Sequence, residues 1–236
     1  MKRFPLLVAA AALMMAACSS DVTSSSSATG GTAPGEQDNT DIGAGTTTTS
    51  QTEGGIATVP VDLEPTPAQT EGPYYPIEKL DDQDGDLTEV AGAPGTPQGT
   101  VLLIDGKLLT AEGQPISGAT IEIWQTDANG IYQHPGDPKT NDRDPNFQFY
   151  GESVTDANGA WSFRTIDPGY YEPRPRHIHV KVRVDGKEAL TTQIYFEGDE
   201  RLAGESIDEA LIAATKAGEE NGTPVLTAIH DLVVDL

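Results

Sequence analysis

Two of the chain's four histidines stand one residue apart in the stretch PGYYEPRPRHIHV, from Pro168 to Val180. Side chains alternate between the two faces of a strand, so HIHVKV would place His177 and His179 on one face and Ile178 on the other. Two imidazoles so disposed can bind one ion together. They can equally be hydrogen-bonded or exposed histidines of an ordinary sheet, and spacing alone leaves both readings open. Tyr171 precedes His177 by six residues, across EPRPR. The two prolines of that segment hold an extended path able to carry a phenol back over the strand. Tyr132 follows a TDANG turn at a strand edge, from which its ring could enter the same cavity.

Phenolate oxygens with neutral imidazole nitrogens suit a hard trivalent ion such as iron(III) better than zinc or copper(I), which favour thiolates. No Asp or Glu within the HIH run or its immediate flanks completes the carboxylate-containing triad of iron(II) oxygenases. Half-buried sheet tyrosines are the competing reading of Tyr132 and Tyr171. His134 shares a potential strand face with Tyr132 but opens a polar loop, which makes it exposed or an outer neighbour of the site. His230, between apolar stretches, reads as structural. Trp124, among β-branched neighbours, reads as core rather than as a platform for substrate.

The elements that must position these residues are strands. TVLLID, ATIEIWQ, AWSFRTI, HIHVKVRV and LTTQIYF are short runs of β-branched and aromatic residues separated by turn chemistry. Asp105-Gly106 and Asp185-Gly186 suit two-residue hairpin loops. TDANG occurs at both Thr126–Gly130 and Thr155–Gly159, as one turn used twice. The loop from Gln133 to Asn146 is long for a compact β domain, a sign of function. ESIDEALIAATKAG predicts one short C-terminal helix, with Ser206 or Asp208 near its start and Gly218 past its end. TAIHDLVVDL returns to strand pattern. The expected fold is all-β, a single sandwich of seven to nine strands over residues 66–236.

What precedes it is different in kind. MKRF, the apolar run PLLVAAAALMMAA and the small residues before Cys18 describe a secretory signal over residues 1–17. Met15-Ala16-Ala17-Cys18 resembles the lipobox of bacterial lipoproteins, which implies acylation of Cys18 and an exported protein lipid-anchored to the cell envelope. Cys18 is the only cysteine, so it has no disulfide or thiolate partner. An ordinary signal-peptidase site beside a chance cysteine is the alternative. Residues 18–65 are rich in Ser, Thr, Gly, Ala and acidic residues and predict a disordered tether. A formal net charge of −23 repels nucleic acid and anionic lipid, so neither is an expected partner.

Several segments in order carry a resemblance. TEGPYYP, GQPISGATIEIWQTDANGIYQH, FYGESVTDANGAWSFRTIDPGYYEPRPRHIHVKV and LTTQIYFEGD resemble the successive signatures of the intradiol ring-cleavage dioxygenases, the family of catechol 1,2- and protocatechuate 3,4-dioxygenases. The resemblance implies one non-haem Fe(3+) ion per chain, held by Tyr132, Tyr171, His177 and His179. It further implies Tyr171 and His177 as axial ligands, Tyr132 and His179 as equatorial ones, and hydroxide in a fifth position. Tyr171 is preferred to Tyr170 because the family's PGxY tyrosine is the fourth residue. Arg174 falls on the family's active-site arginine, which stabilises charge on the substrate ring, and Arg176 reads as a solvent-facing counterweight. Gln193 falls on the position that orients that arginine or oxygenated intermediates. Pro73, Tyr74 and Tyr75 fall where residues border the substrate or merely pack. The implied reaction takes a catechol-type ring and O2 to a cis,cis-muconate-type product, with Tyr171 accepting a substrate proton. No helical segment precedes the β domain here, so the dimer of the better-known enzymes is not implied and the oligomeric state stays open. The rival reading is a non-catalytic transthyretin-like binding or adhesion module, with which GQPISGATIEI and TDANGAWSF are also compatible.

Overall fold

A computed structural model describes residues 62–236. The expected signal peptide, Cys18 and the tether up to residue 61 lie outside the described residues. The packed chain begins earlier than residue 66, since the Leu63 amide already donates to the carbonyl of Ala111 at 2.7 Å.

Ten strands occur among the described residues, more than the seven to nine expected. They are β1 (Val101–Thr110), β2 (Thr120–Trp124), β3 (Tyr150–Val154), β4 (Ala160–Ile166), β5 (His177–Val184), β6 (Lys187–Phe196), β7 (Ile212–Ala213), β8 (Thr215–Glu220), β9 (Thr223–Ile229) and β10 (Leu232–Val234). They form two five-stranded sheets. In the first, β1 is central: it pairs antiparallel with β4 on one side, and parallel with β9 and then β10 along the other, while β8 borders β9. The second runs β3-β2-β5-β6-β7. Alternate residues of both sheets meet in one apolar cluster that includes Leu102, Ile104, Phe163, Ile121, Ile123, Ile178, Val180 and Ile194.

The second sheet is buried on both faces. In β5 the inward positions are Ile178, Val180 and Val182, whereas His177, His179, Lys181 and Arg183 face the other way. A strap of irregular chain covers that outer face. It is tied down by Gln69 N to Thr191 O at 2.9 Å, Thr192 Oγ1 to Pro67 O at 2.7 Å and Gln193 Nε2 to Thr70 O at 2.8 Å. Polar side chains on a sheet thus become buried without entering the sandwich core.

Two local expectations are corrected. The C-terminal helix is absent: Asp208 caps only a short 3₁₀ turn, Glu209–Leu211, and the chain then extends through β7 and β8. Asn221-Gly222, with φ of 50° and 81°, closes a tight hairpin that pairs β8 with β9, and that pairing overrides the helix propensity of Ala, Lys and Glu. Asp105-Gly106 is not a hairpin loop either. Both residues lie inside β1, where a Cβ on Gly106 would stand 1.9 Å from the carbonyl oxygen of His230 and 2.5 Å from Trp161 Cζ2. Gly106 serves close approach between β1, Trp161 and the β9–β10 corner. Gly106→Ala should therefore cost about 3 kcal/mol or more, seen as a fall in Tm of roughly 6–12 °C in thermal unfolding. Asp185-Gly186 does form the β5–β6 turn, with φ of 51° and 74°.

Candidate metal centre

The pairing registers lay functional residues in rows across the outer face of the second sheet. One row is Tyr150, Trp124, His179 and Gln193; the next is Glu152, Glu122, Lys181 and Thr191; and His177 stands opposite Tyr195. His177 and His179 are both nearly inaccessible, at 5% and 4%. Their side chains converge as two-residue spacing on a strand requires.

Tyr132 reaches them from a loop. The first TDANG turn is braced by Asp127, whose Oδ1 accepts from the amides of Asn129 and Ile131 and whose Oδ2 accepts from the Asp144 amide. The second TDANG repeats the device, with Asp156 Oδ1 accepting from the amides of Asn158 and Ala160. Asp137 then fixes Tyr132 itself, accepting from its amide at 2.8 Å. The long polar loop thus works structurally at this point, turning buried carboxylates back onto the backbone. Gly130 packs the turn against the Tyr171 segment, since a Cβ there would lie 2.0 Å from the Tyr170 carbonyl oxygen. Gly169 N donates to Asp127 O and Thr126 Oγ1 to Gly169 O, both at 2.9 Å. Sequence reading missed Asp127 and Asp137; the Asx-turn pattern D-x-N-G was the available signal for the first.

The outcome is a triangle of donor atoms. Tyr132 Oη is 3.2 Å from His177 Nε2 and 3.1 Å from His179 Nε2, and the two nitrogens are 3.2 Å apart. Those edges are what three donors at about 2.0–2.1 Å from one ion present to each other. His177 Nδ1 donates to the Pro175 carbonyl at 2.7 Å, which leaves its Nε2 lone pair bare and aimed at the cluster. Burial pushes the His177 pKa down to about 4 and drives that of His179 well below the ordinary value, so both rings are neutral at pH 7, the form in which an imidazole can ligate a cation. Burial pushes the Tyr132 phenol far above its ordinary value, with Tyr171 adding to the shift and Arg174 opposing it. A phenolate at this depth therefore needs a cation beside it. Among the described residues, no three His, Cys, Asp or Glu side chains cluster as a metal site, and the oxygen donors beside the two imidazoles are tyrosine hydroxyls. The residues present fit a hard cation.

Depressed histidine pKa values carry a stability consequence. Below about pH 6.5 the unfolded chain binds protons that folded His177 refuses until about pH 4, so stability falls as pH drops through that window. Urea unfolding of metal-free protein should show roughly 3 kcal/mol lost by its lower end on account of His177, and His177→Asn should flatten the slope.

Tyr171 is half-buried and joins the same cluster: its hydroxyl is 3.0 Å from that of Tyr74, and its ring lies edge-on to Tyr132 at 5.6 Å. Tyr170 instead is 41% exposed and stacks on the Arg201 guanidinium at 3.9 Å. Tyr74 also lies 4.8 Å from the Tyr132 ring, and hydrogen bonding with Tyr171 together with burial pushes its pKa up to about 12. Tyr75 turns away and packs edge-on against Trp124, its hydroxyl donating to Glu122 at 2.6 Å. Pro73 is exposed. His134 stands at the rim, 5.4 Å from Tyr74, its Nδ1 accepting from Gly136 N, while buried His230 lies in the β9–β10 corner.

Arg174 is gripped from three sides. Its Nε donates to Glu205 at 2.8 Å, and its Nη2 donates to Tyr195 Oη at 2.8 Å and to Gln193 Oε1 at 3.3 Å. Tyr195 donates in turn to Gln193 Oε1 at 2.7 Å. Arg176 is not a solvent-facing counterweight. It pairs with Asp167 and with the fully buried carboxylate of Asp199, which also accepts from the Arg176 amide at 2.9 Å.

A family model described as Dioxygenase matches residues 70–236. The chain is 39% identical to the protocatechuate 3,4-dioxygenase beta chain of Burkholderia cepacia, over 57% of this chain and 61% of that one. It is 31% identical to catechol 1,2-dioxygenase of Acinetobacter baylyi, over 71% of this chain and 61% of that one. The chain thus spans less than two thirds of either curated relative. Among solved structures, the dioxygenase domain of a dioxygenase carbohydrate-binding protein fusion from Streptomyces sp. SirexAA-E superimposes with a TM-score of 0.59 at 32% identity, over 73% of this chain and 99% of that one.

Proposed function

This chain belongs to the intradiol dioxygenase family, and from that premise we propose that it cleaves a catechol-type ring between its two hydroxylated carbons with O2, on ferric iron held by Tyr132, Tyr171, His177 and His179. The observation that carries this reading is the triangle of one phenol oxygen and two imidazole nitrogens 3.1–3.2 Å apart, beneath a wall of tyrosines. Bound ferric iron would supply Lewis acidity, lowering the pKa of the substrate's hydroxyls. The chain's own residues divide the remaining work. His177 and His179 present neutral nitrogens. In this reading Tyr171 takes up a substrate proton, a role supported by its hydroxyl's hydrogen bond with Tyr74 beside the donor cluster. The Arg174 guanidinium offers a fixed positive charge to the substrate anion. Gln193 holds that guanidinium, its own amide being tied to Thr70 O, which favours the orienting role for this residue. The relatives named above are dioxygenases, and none of them favours a transthyretin-like binding module.

The test is to load purified protein with ferric iron, record its visible spectrum with and without catechol under anaerobic conditions, and then follow O2 uptake over a panel of catechols with product spectra. A ferric tyrosinate band that catechol shifts, and equimolar O2 consumed to a cis,cis-muconate-type product, are expected. A colourless iron-loaded protein would sink the proposal. Export and lipid anchoring at Cys18 belong to the same reading and are supported by the lipobox-like sequence; labelled fatty acid should attach to the full chain and not to Cys18→Ala.

A further inference from the structure

The two histidines are held differently. His177 has the usual device of a backbone carbonyl, that of Pro175, taking its Nδ1 proton. His179 Nδ1 has no protein partner among the described residues, although it is buried. Against this ring lies an aromatic face: Trp124 stacks on it with centroids 4.7 Å apart and planes within 6°, and the strap passes close by at Gly72, where a Cβ would stand 3.3 Å from His179 Cε1. The indole nitrogen of Trp124 likewise has no protein partner among the described residues, so stacking is the specific interaction it offers.

Trp124 is itself pinned. Its backbone stands opposite His179 in the β2–β5 register, so the stack is a cross-strand pair. Tyr75 meets the indole edge-on at 5.0 Å, and its hydroxyl is anchored on buried Glu122. The Lys181 ammonium lies 4.1 Å from the Tyr75 ring centroid and 5.9 Å from that of Trp124. Glu122 is in turn held by Arg183. A continuous column thus runs from Arg183 through Glu122, Tyr75 and Trp124 to the imidazole.

We infer that Trp124 is a positioning residue for the metal centre, holding the His179 ring in its ligating orientation as the Pro175 carbonyl does for His177. The inference rests on the ferric reading above. It differs from the sequence expectation of a core tryptophan: the residue is buried, but against a ligand and outside the sandwich core.

The experiment compares Trp124→Phe, which keeps a stacking face, with Trp124→Leu, which does not, in the full chain loaded with ferric iron. Two readouts are followed: the rate of iron transfer to a strong chelator and the position of the visible charge-transfer band. Trp124→Leu should lose iron roughly 10- to 100-fold faster, the range expected when a metal ligand loses its outer support, with a shifted band. Trp124→Phe should stay within about threefold of wild type on this account. If Trp124→Leu does not fold, Trp124→Met supplies a bulky non-planar side chain for the same comparison. Leucine or methionine variants that release iron and absorb light as wild type does would overturn the inference and leave the ferric reading intact. Equal acceleration in the phenylalanine and leucine variants would overturn it too, since loss of volume rather than of the stack would then be responsible. Wild-type protein that takes up no iron would remove both.

Discussion

His177→Ala should bleach the iron-loaded protein and reduce ring cleavage below detection. The substitution removes one corner of the donor triangle and leaves Tyr132 with a single nitrogen beside it. Losing an outer partner of a ligand costs about 10- to 100-fold in metal affinity or activity, and losing the ligand itself should exceed that. The fold should survive. His177 has one direct bond to backbone, to the Pro175 carbonyl, and such a bond contributes about 1 kcal/mol. His134→Ala and His230→Ala are the controls, because neither residue belongs to the triangle; both should keep the visible band. Iron analysis, visible absorbance and O2 uptake on the three variants decide the matter. A His177→Ala protein that retains stoichiometric iron and colour would remove this residue from the ligand set.

Arg174→Leu should give the opposite division: the colour kept, the turnover lost. The Arg174 guanidinium hydrogen-bonds to Glu205, Gln193 and Tyr195 and to neither histidine. If it stabilises charge developing on the substrate ring, its removal should lower kcat by about 10²–10³, as removal of one preorganised donor does elsewhere. The ferric band of the resting protein should be unchanged. Arg174→Lys should recover only part of the rate, because an ammonium cannot hold Glu205 and Tyr195 in the same fork. A fall in kcat/KM caused wholly by KM, with kcat intact, would show that Arg174 contributes uniform binding instead.

The legible parts of this protein were those governed by local periodicity. HIHVKV announced a strand with both histidines on one face because the side-chain period is two. The TDANG turns were legible because Asp, Asn and Gly each have a reason to be there. The proposed iron ligation by Tyr132 and Tyr171 came through family resemblance, since loops carry these residues to the site and no spacing rule governs the journey. The C-terminal helix was misread for a related reason. Thr215–Glu220 is an edge strand whose Lys216 and Glu219 face solvent, and its helix-compatible composition is decided by pairing with β9. Asp105-Gly106 shows the converse, a strong turn signal silenced by the need for close approach inside β1. The Glu122, Lys181 and Arg183 network was invisible because nothing in one strand reveals that a distant strap will cover its polar face.

That burial of one sheet on both sides has a bearing on how the protein can vary. In β2 and β5, even and odd positions answer to different constraints: Ile178, Val180 and Val182 to the sandwich, His177, His179 and Lys181 to the strap and whatever it encloses. A substitution at one parity is felt as lost stability, and at the other as altered chemistry. A lineage could therefore remodel the enclosed face through the strap and loops while leaving the structural face alone. The one change it could not absorb is a single-residue insertion within β5, which would exchange the two faces at once.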